Sequence, residues 1–482
     1  MTKVKTKKDF TEGPLFVPIF LFVIPIILTG MLQMTYNMAD QIVVSQFSSN
    51  ENAVAAIGST TSLFNLIVNL LMGIAGGAGV VVAQSYGAKN YKKVSDAIHT
   101  STLFAFIGGI CFCLIGIILA KPALSLMQTQ SHLFDDALRY LYIICLGVPA
   151  TAVYNFSAAA LRSVGDSKTP LIILSLSGLI NVLLNLFFVI VVKLSVEGVA
   201  LATIASQYAS AITVLTILHR RTDTPYALDF KKLRIHKKIL GEIIKLGLPA
   251  GLQGTMFSIS NIILTAGINQ LSPIDVHARP VAINIESLVH TAMNAYLHAA
   301  MTFTGQNYGA RKPDRIKKSI FYTLIQVLIV GFFGGQLVRL IGRPLAKIFI
   351  SSKVENPGAV LDSAMELMTF MLSVYFLCGV MDTLSGALRG LGYSKIPMVI
   401  SVIAICVIRA IWIFVFFPME RFHSLIGIYT VYPISWSLGL VAMIVALLII
   451  YPRIKRKFNE EAEAEAREAT ENLKENALES EG

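Results

Sequence analysis

The chain has 482 residues, of which 55% are hydrophobic and only 14% are charged, and its mean hydropathy is +0.67. Soluble proteins carry about 25% charged residues, so this composition excludes an ordinary soluble protein. The formal net charge of +11 does not indicate nucleic-acid binding, because the basic residues lie in short loops between long apolar runs. These runs exceed the ~20 residues that a helix needs to cross a bilayer, and they predict a polytopic membrane protein.

Twelve apolar segments follow one another along the chain, and each predicts a transmembrane helix. Their expected bounds are 15–41, 53–84, 98–120, 136–160, 170–192, 196–218, 241–269, 280–306, 319–348, 360–388, 396–417 and 425–451. Lys and Arg are concentrated in alternate loops and beside both chain ends, which predicts cytoplasmic termini in the plasma (inner) membrane, next to anionic lipid.

The only long hydrophilic segment between these helices is strongly basic and divides them into two sets of six. The predicted organisation is a cytoplasmic N-terminus (1–13), an N-terminal six-helix lobe (14–218), a cytoplasmic basic linker (219–240), a C-terminal six-helix lobe (241–451) and a cytoplasmic acidic tail (452–482).

Two short motifs of the first half recur in the second half. Residues 160–170 read ALRSVGDSKTP and residues 387–397 read ALRGLGYSKIP, while QSYGAK at 84–89 returns as QNYGAR at 306–311. The offsets are similar, so the halves are predicted to be copies of one six-helix unit. An even number of helices per unit makes the repeats parallel and relates the two lobes by a pseudo-twofold axis along the membrane normal. Gly87 and Gly309 are expected to end their helices with a positive φ.

A polar pocket is predicted in the outer half of the N-terminal lobe. Asp40 lies about 24 residues into the first helix, and Asn181 and Asn185 lie one turn apart on the fifth, facing the same side. Thr203 of the sixth helix is expected at a similar depth. Burial disfavours the ionised form of a carboxyl group, so Asp40 is a candidate for proton or cation coupling, the alternative being a helix cap at the interface.

The eighth helix carries a second polar stripe, in which Glu286, His290, Asn294 and His298 repeat every four residues. Such a face does not favour lipid and is predicted to line a substrate cleft, where it relays a proton or binds a cationic compound, or else to form a hydrogen-bonded helix contact. Met34 and Tyr36 of the first helix are assigned to the same cleft, Met34 as an adaptable apolar side chain, the alternative being plain packing between helices. No matching second cluster is evident, so no metal site is predicted.

Asp382 of the tenth helix and Arg409 of the eleventh are expected about 10 and 18 Å from the cytoplasmic ends of their helices. This difference is within reach of an arginine, and the two are predicted to form a structural ion pair. The five cysteines lie within apolar spans and are interpreted as small apolar side chains.

With these motifs in view, the chain resembles the multidrug and toxic compound extrusion (MATE) family, of the prokaryotic DNA-damage-inducible-F-like type. The resemblance covers roughly residues 14–451 and rests on the paired motifs, on Asp40 and on the segment GVALAT at 198–203. It implies two six-helix lobes around a central cleft and the exchange of drugs or toxic metabolites for H⁺ or Na⁺. It also matches Asp40, Asn181 and Thr203 to a protonation pocket, whereas Asn185 replaces an aspartate common in the family.

The function expected from the sequence is secondary active multidrug efflux of amphipathic, cationic compounds by a monomer without a cofactor. The alternative is a flippase for a lipid-linked precursor on a related fold, which predicts cationic walls in its cleft. An enzyme is not expected, because the chain contains neither a Gly-x-Ser-x-Gly nor a His-Glu-x-x-His motif.

Overall fold

The computed structural model describes residues 9–47, 53–350 and 356–481, which form helices joined by short loops and contain no strand. We number the helical spans of this part of the chain α1 to α12, counting a bent or locally π-helical span once. Their bounds are α1 Phe16–Phe47, α2 Ala53–Gly87, α3 Tyr91–Leu126, α4 Ser131–Cys145 with Val148–Ser163, α5 Lys168–Val191, α6 Val196–Arg220, α7 Lys237–Ile268, α8 Pro273–Gly309, α9 Pro313–Phe349, α10 Pro357–Val374 with Phe376–Gly390, α11 Lys395–Phe416, and α12 Leu425–Tyr429 with Val431–Glu481. Residues 1–8 and Gly482 of the predicted terminal segments lie outside the described residues.

The predicted twelve-helix architecture is confirmed. Within the described residues, eight helices are long and apolar enough to cross a membrane as single spans, and the two bent pairs, α4 and α10, raise the number to ten. The other two, α7 and α8, are equally long but more polar. Several helices extend beyond their predicted ends, because hydropathy identifies only the part of a helix that lies in hydrocarbon.

The internal repeat is also visible as a bend at the same place in each half of the chain. α4 bends by 47° between Cys145 and Val148, and α10 bends by 45° at Tyr375. Each is the fourth helix of its half. Pro149 contributes to the bend of α4, because its ring clashes with the preceding turn and it lacks an N–H group.

Two apolar clusters form the cores of the two lobes, and the first helix of each half begins in the cluster of the other half. Leu15, directly before α1, and Ile19 and Phe22 of α1 are buried among residues of α7–α12. Ile239 and Ile243 of α7 are buried among residues of α2–α6. This reciprocal exchange is the arrangement expected for two lobes related by a twofold axis.

The lobes also touch through a glycine seam between α2 and α7. A Cβ atom added at Gly73 would fall on the backbone of Gly251, and one added at Gly77 would fall on the backbone of Gly247. Two helices approach this closely only where neither carries a side chain.

The repeated loops meet at one end of the bundle, which we call the basic end and which the sequence predicts to be cytoplasmic. Gln84 Nε2 donates to the carbonyl of Gly390 at 2.9 Å, and Gln306 Nε2 donates to the carbonyl of Ser163 at 2.7 Å. Gly390 and Ser163 are equivalent positions of the two repeats. The lobes are therefore joined at the basic end by a symmetric pair of hydrogen bonds.

The expectation for Gly87 and Gly309 was wrong. The left-handed residues of these turns are Lys89 and Arg311, with φ of 56° and 53°. The glycines have another role, because a Cβ at Gly87 would overlap the carbonyl of Gln306 and a Cβ at Gly309 would overlap that of Gln84. These glycines allow the two lobes to approach each other.

Candidate functional site: two polar cavities

A cavity of about 160 Å³ lies inside the N-terminal lobe, between α1, α4, α5 and α6. Asp40, Asn181 and Thr203 line it, as the sequence predicts. They reach one place because Asn181 lies on the face of α5 that packs against α1 and α6.

The four predicted residues form a continuous hydrogen-bonded chain. Asn185 Nδ2 donates to Asp40 Oδ1 and, at 3.3 Å, to Asn181 Oδ1. Asn181 Nδ2 lies 3.5 Å from Thr203 Oγ1, which itself donates to the carbonyl of Val199 at 2.9 Å. Two amides of α5 and a hydroxyl of α6 therefore form one hydrogen-bonded chain with the Asp40 carboxylate of α1.

Burial within this chain is uneven. Asn185 is fully buried, and its Oδ1 has no hydrogen-bond partner, whereas Asp40 is half-buried and faces the cavity. A carboxylate in such a place can take up a proton or a small cation while the amides hold its position.

Sequence reasoning did not find the other polar residues that line this cavity. Gln33 and Asn37 precede Asp40 on α1 by about two turns and one turn respectively, and Asn155 and Gln207 come from α4 and α6. The spacing on α1 could have indicated Gln33 and Asn37. Tyr36, assigned to a substrate cleft, also lines this cavity, and its hydroxyl donates to the carbonyl of Ser175 at 3.3 Å.

A larger cavity of about 490 Å³ lies in the C-terminal lobe. Glu286 and His290, one turn apart on α8, line it together with Asp382 of α10. Glu286 is buried, and its Oε1 has no hydrogen-bond partner.

The remaining residues of the predicted cleft lie elsewhere. Met34 Sδ accepts from Thr291 Oγ1 at 3.3 Å where α1 packs on α8. Asn294 is half-buried, and His298 lies near the positive charges of Arg162 and Arg389. Neither Asn294 nor His298 lines either of the two cavities. The residues assigned to one cleft thus divide between two cavities and a helix interface.

The predicted ion pair between Asp382 and Arg409 is not formed. Asp382 Oδ2 lies 3.9 Å from His290 Nε2 instead. The Arg409 guanidinium lies 4.0 Å from the ring centroid of Tyr432, and its Nε has no hydrogen-bond partner. Depth along the helices was compatible with a pair, but depth does not determine the direction in which each side chain points.

The larger cavity contains further groups that sequence reasoning did not assign. Arg279 Nε donates to the hydroxyl of Tyr429 at 3.3 Å, and Trp436 adds an aromatic wall. Cys378, interpreted as an apolar side chain, lies one turn before Asp382 and donates to its Oδ2 at 3.9 Å. The four-residue spacing of Cys378 and Asp382 was visible, but His290 joins them only through tertiary packing.

Twelve helical spans in two lobes, with a polar cavity inside each lobe, are the architecture expected of a membrane transporter. The chain belongs to the MatE family, whose model matches residues 25–187 and 249–415. The two matched ranges correspond to the two halves of the chain.

Curated relatives match over most of their length. The chain is 27% identical over 440 residues to the probable multidrug resistance protein YoeA of Bacillus subtilis, covering 89% of this chain and 91% of the relative. It is 25% identical over 393 residues to the probable multidrug resistance protein NorM of Thermotoga maritima, covering 79% and 81%. A solved MATE-family multidrug resistance transporter in an outward-facing conformation has a TM-score of 0.83 at 20% identity, covering 95% of this chain and 100% of that chain, and shows the same fold.

Proposed function

We propose that this transporter is a multidrug exporter of the plasma membrane, which exchanges amphipathic, cationic compounds for H⁺ or Na⁺ by alternating access. The names of YoeA and NorM support multidrug export, since both relatives match over most of their length. The observation that carries the coupling part of the proposal is the hydrogen-bonded chain that holds Asp40 at the wall of a cavity.

The negative charge in the N-terminal cavity supports a cationic ligand there. Asp40 is the only charged side chain among the described residues that line it. A proton, Na⁺ or an organic cation would each neutralise the carboxylate. Export and ion entry therefore compete for one group, which is the requirement for exchange.

The contacts at the basic end support alternating access. If both termini are cytoplasmic, the paired Gln84 and Gln306 hydrogen bonds close the cytoplasmic side in this state. Neutralisation of Asp40 by an ion from outside would release substrate, and opening of the basic end would then admit the next molecule. A membrane potential supplies about 2.3 kcal/mol per charge per 100 mV to this cycle.

We do not favour the flippase alternative. It requires cationic walls for a phosphate, whereas the N-terminal cavity carries Asp40, and the C-terminal cavity contains two acids, Glu286 and Asp382, beside Arg279 and Arg409.

The test is efflux of a cationic dye from proteoliposomes with ΔpH and ΔNa⁺ imposed separately. Asp40→Asn keeps the hydrogen-bonding shape but removes the titrating group, so we expect export driven by either gradient to fall to background. Asp362→Asn is the matched control, because Asp362 pairs with Arg343 at the surface and lies outside both cavities. Full gradient-driven export by Asp40→Asn would contradict the proposal, and the gradient that drives the wild type identifies the ion.

A further inference from the structure

Three potential metal ligands of different chemistry meet at the wall of the C-terminal cavity. His290 Nε2 of α8 lies 3.9 Å from Asp382 Oδ2 of α10, and Cys378 Sγ of α10 lies 3.9 Å from the same oxygen. The three ligand atoms all lie within 4.8 Å of one another. Cys378 and Asp382 share one face of α10, because they are four residues apart.

We propose that His290, Cys378 and Asp382 form a binding site for a borderline-soft divalent cation of the Zn²⁺ class. Imidazole nitrogen, thiolate sulfur and carboxylate oxygen are the ligand types that Zn²⁺ takes, and three protein ligands leave the fourth position to water from the cavity. Na⁺ or Mg²⁺ would favour oxygen ligands alone, so the thiol and the imidazole distinguish this site from one for a coupling cation.

The geometry needs a contraction of all three separations. Tetrahedral Zn²⁺ with Zn–N and Zn–O bonds of about 2.0–2.2 Å and a Zn–S bond of about 2.3 Å holds its ligands about 3.4–3.6 Å apart. The two 3.9 Å separations must therefore shorten by a few tenths of an ångström. The third separation, between His290 and Cys378, is within 4.8 Å and must shorten by up to about 1.2 Å. The His290 side chain can supply this movement, since 43% of it is exposed, whereas Cys378 and Asp382 are fixed within the packed helix.

The charge balance also suits a divalent cation. On binding, the Cys378 thiol gives its proton to solvent as the Zn–S bond forms, and thiolate and carboxylate together offset two positive charges. Arg389 and Arg409 are the nearby cations. Their guanidinium groups are held by other partners, Arg389 by Gln253 Oε1 at 2.7 Å and Arg409 by the ring of Tyr432.

The first test is a titration of the purified full-length protein in detergent with Co²⁺, a coloured probe of zinc sites. We expect one equivalent to bind with a thiolate-to-cobalt charge-transfer band. Cys378→Ser should abolish the band. His290→Gln and Asp382→Asn should each weaken Co²⁺ binding at least tenfold, because loss even of a group that only supports a metal ligand costs about 10–100-fold in affinity. Cys406→Ser, which removes another thiol of the same lobe, is the control that should change nothing. Absence of the band in the wild type, or its survival in Cys378→Ser, would overturn the proposal.

A second measurement needs no variant. X-ray absorption at the zinc edge of wild-type protein loaded with one equivalent of Zn²⁺ should show one sulfur neighbour at about 2.3 Å, with nitrogen or oxygen for the rest. A shell of nitrogen and oxygen alone would refute the site. Neither experiment depends on Asp40 or on transport, so this inference stands or fails separately from the proposed function.

Discussion

At the scale of single residues, the chain from Asp40 to Thr203 shows how much helix periodicity determines. Asn181 and Asn185 are four residues apart, and this spacing alone places both amides on one face of α5. Asn185 then donates to both Asp40 and Asn181. Because position 185 is fully buried, an apolar side chain of similar size there leaves no room for a water molecule in place of the amide donor.

Asn185→Leu should therefore reduce efflux by about fivefold or more, since a buried acceptor that loses its donor, here Asn181 Oδ1, costs about 1–3 kcal/mol. Initial rates of dye export from proteoliposomes, normalised to folded protein, measure the effect. Ser175→Ala is the control on the same helix, because its hydroxyl bonds only to its own backbone at Leu171. Equal rates in the two variants would show that the amide chain does not serve transport.

Asp382 and Arg409 have different partners, His290 and Tyr432 respectively. A double-mutant cycle on Arg409 and Tyr432 should give a coupling of about 1–2 kcal/mol, the range of a desolvated cation–π contact. A cycle on Asp382 and Arg409 should give a markedly smaller coupling, because the two groups are not paired. Thermal unfolding in detergent of the single and double variants measures both cycles. A larger coupling in the second cycle would restore the ion pair that the sequence predicts.

At the scale of helices, the glycine seam between α2 and α7 sets how closely the lobes pack. Gly247 lies against the backbone of Ile74 and Gly77, where no side chain fits. A substitution there must move a whole helix rather than a single side chain, because cores and helix interfaces resist added volume.

Gly247→Ala should lower stability by about 1–3 kcal/mol, the cost of overpacking. Gly241→Ala on the same helix should be neutral or slightly stabilising, since a Cβ there meets nothing within 4 Å. The two melting temperatures, compared in one detergent, decide the point. If both variants melt alike, the seam does not limit the approach of the lobes.

At the scale of the whole molecule, the basic end holds the two lobes together. Gln306 donates to Ser163 of the other lobe and accepts from the backbone N–H of Phe10 at 3.2 Å. Phe10 stacks on Phe303 with ring centroids 4.0 Å apart. The segment before α1 therefore covers the contact between the lobes and must move when this end opens.

The double variant Gln84→Ala, Gln306→Ala should favour opening of the basic end, because two interlobe hydrogen bonds worth about 1–3 kcal/mol in total are lost. Hydrogen exchange of the backbone should accelerate in residues 84–90 and 306–311. Gln270→Ala is the control, since Gln270, just past the end of α7, is exposed and its side chain bonds only to the nearby carbonyl of Ala266. Unchanged exchange in the double variant would mean that these bonds do not hold the closed state.

Several features of this protein could be predicted from the sequence. Hydropathy located the twelve helices, and the recurrence of ALRxxG and QxYGA established the two halves. Four-residue spacing placed Asn181 and Asn185 on one face, and depth along their own helices placed Asp40 and Thr203 at a similar level. These features are local or periodic, so each is present in the order of residues along a single helix or loop.

Tertiary structure alone decided which helix faces meet. It separated Tyr36 from Glu286, left Asp382 without Arg409, brought Cys378 and Asp382 to His290, and used Gly87 and Gly309 for contact between the lobes rather than for a left-handed turn. The rotation of a helix about its axis depends on the packing of its neighbours, and hydropathy in a bilayer constrains depth far more than rotation.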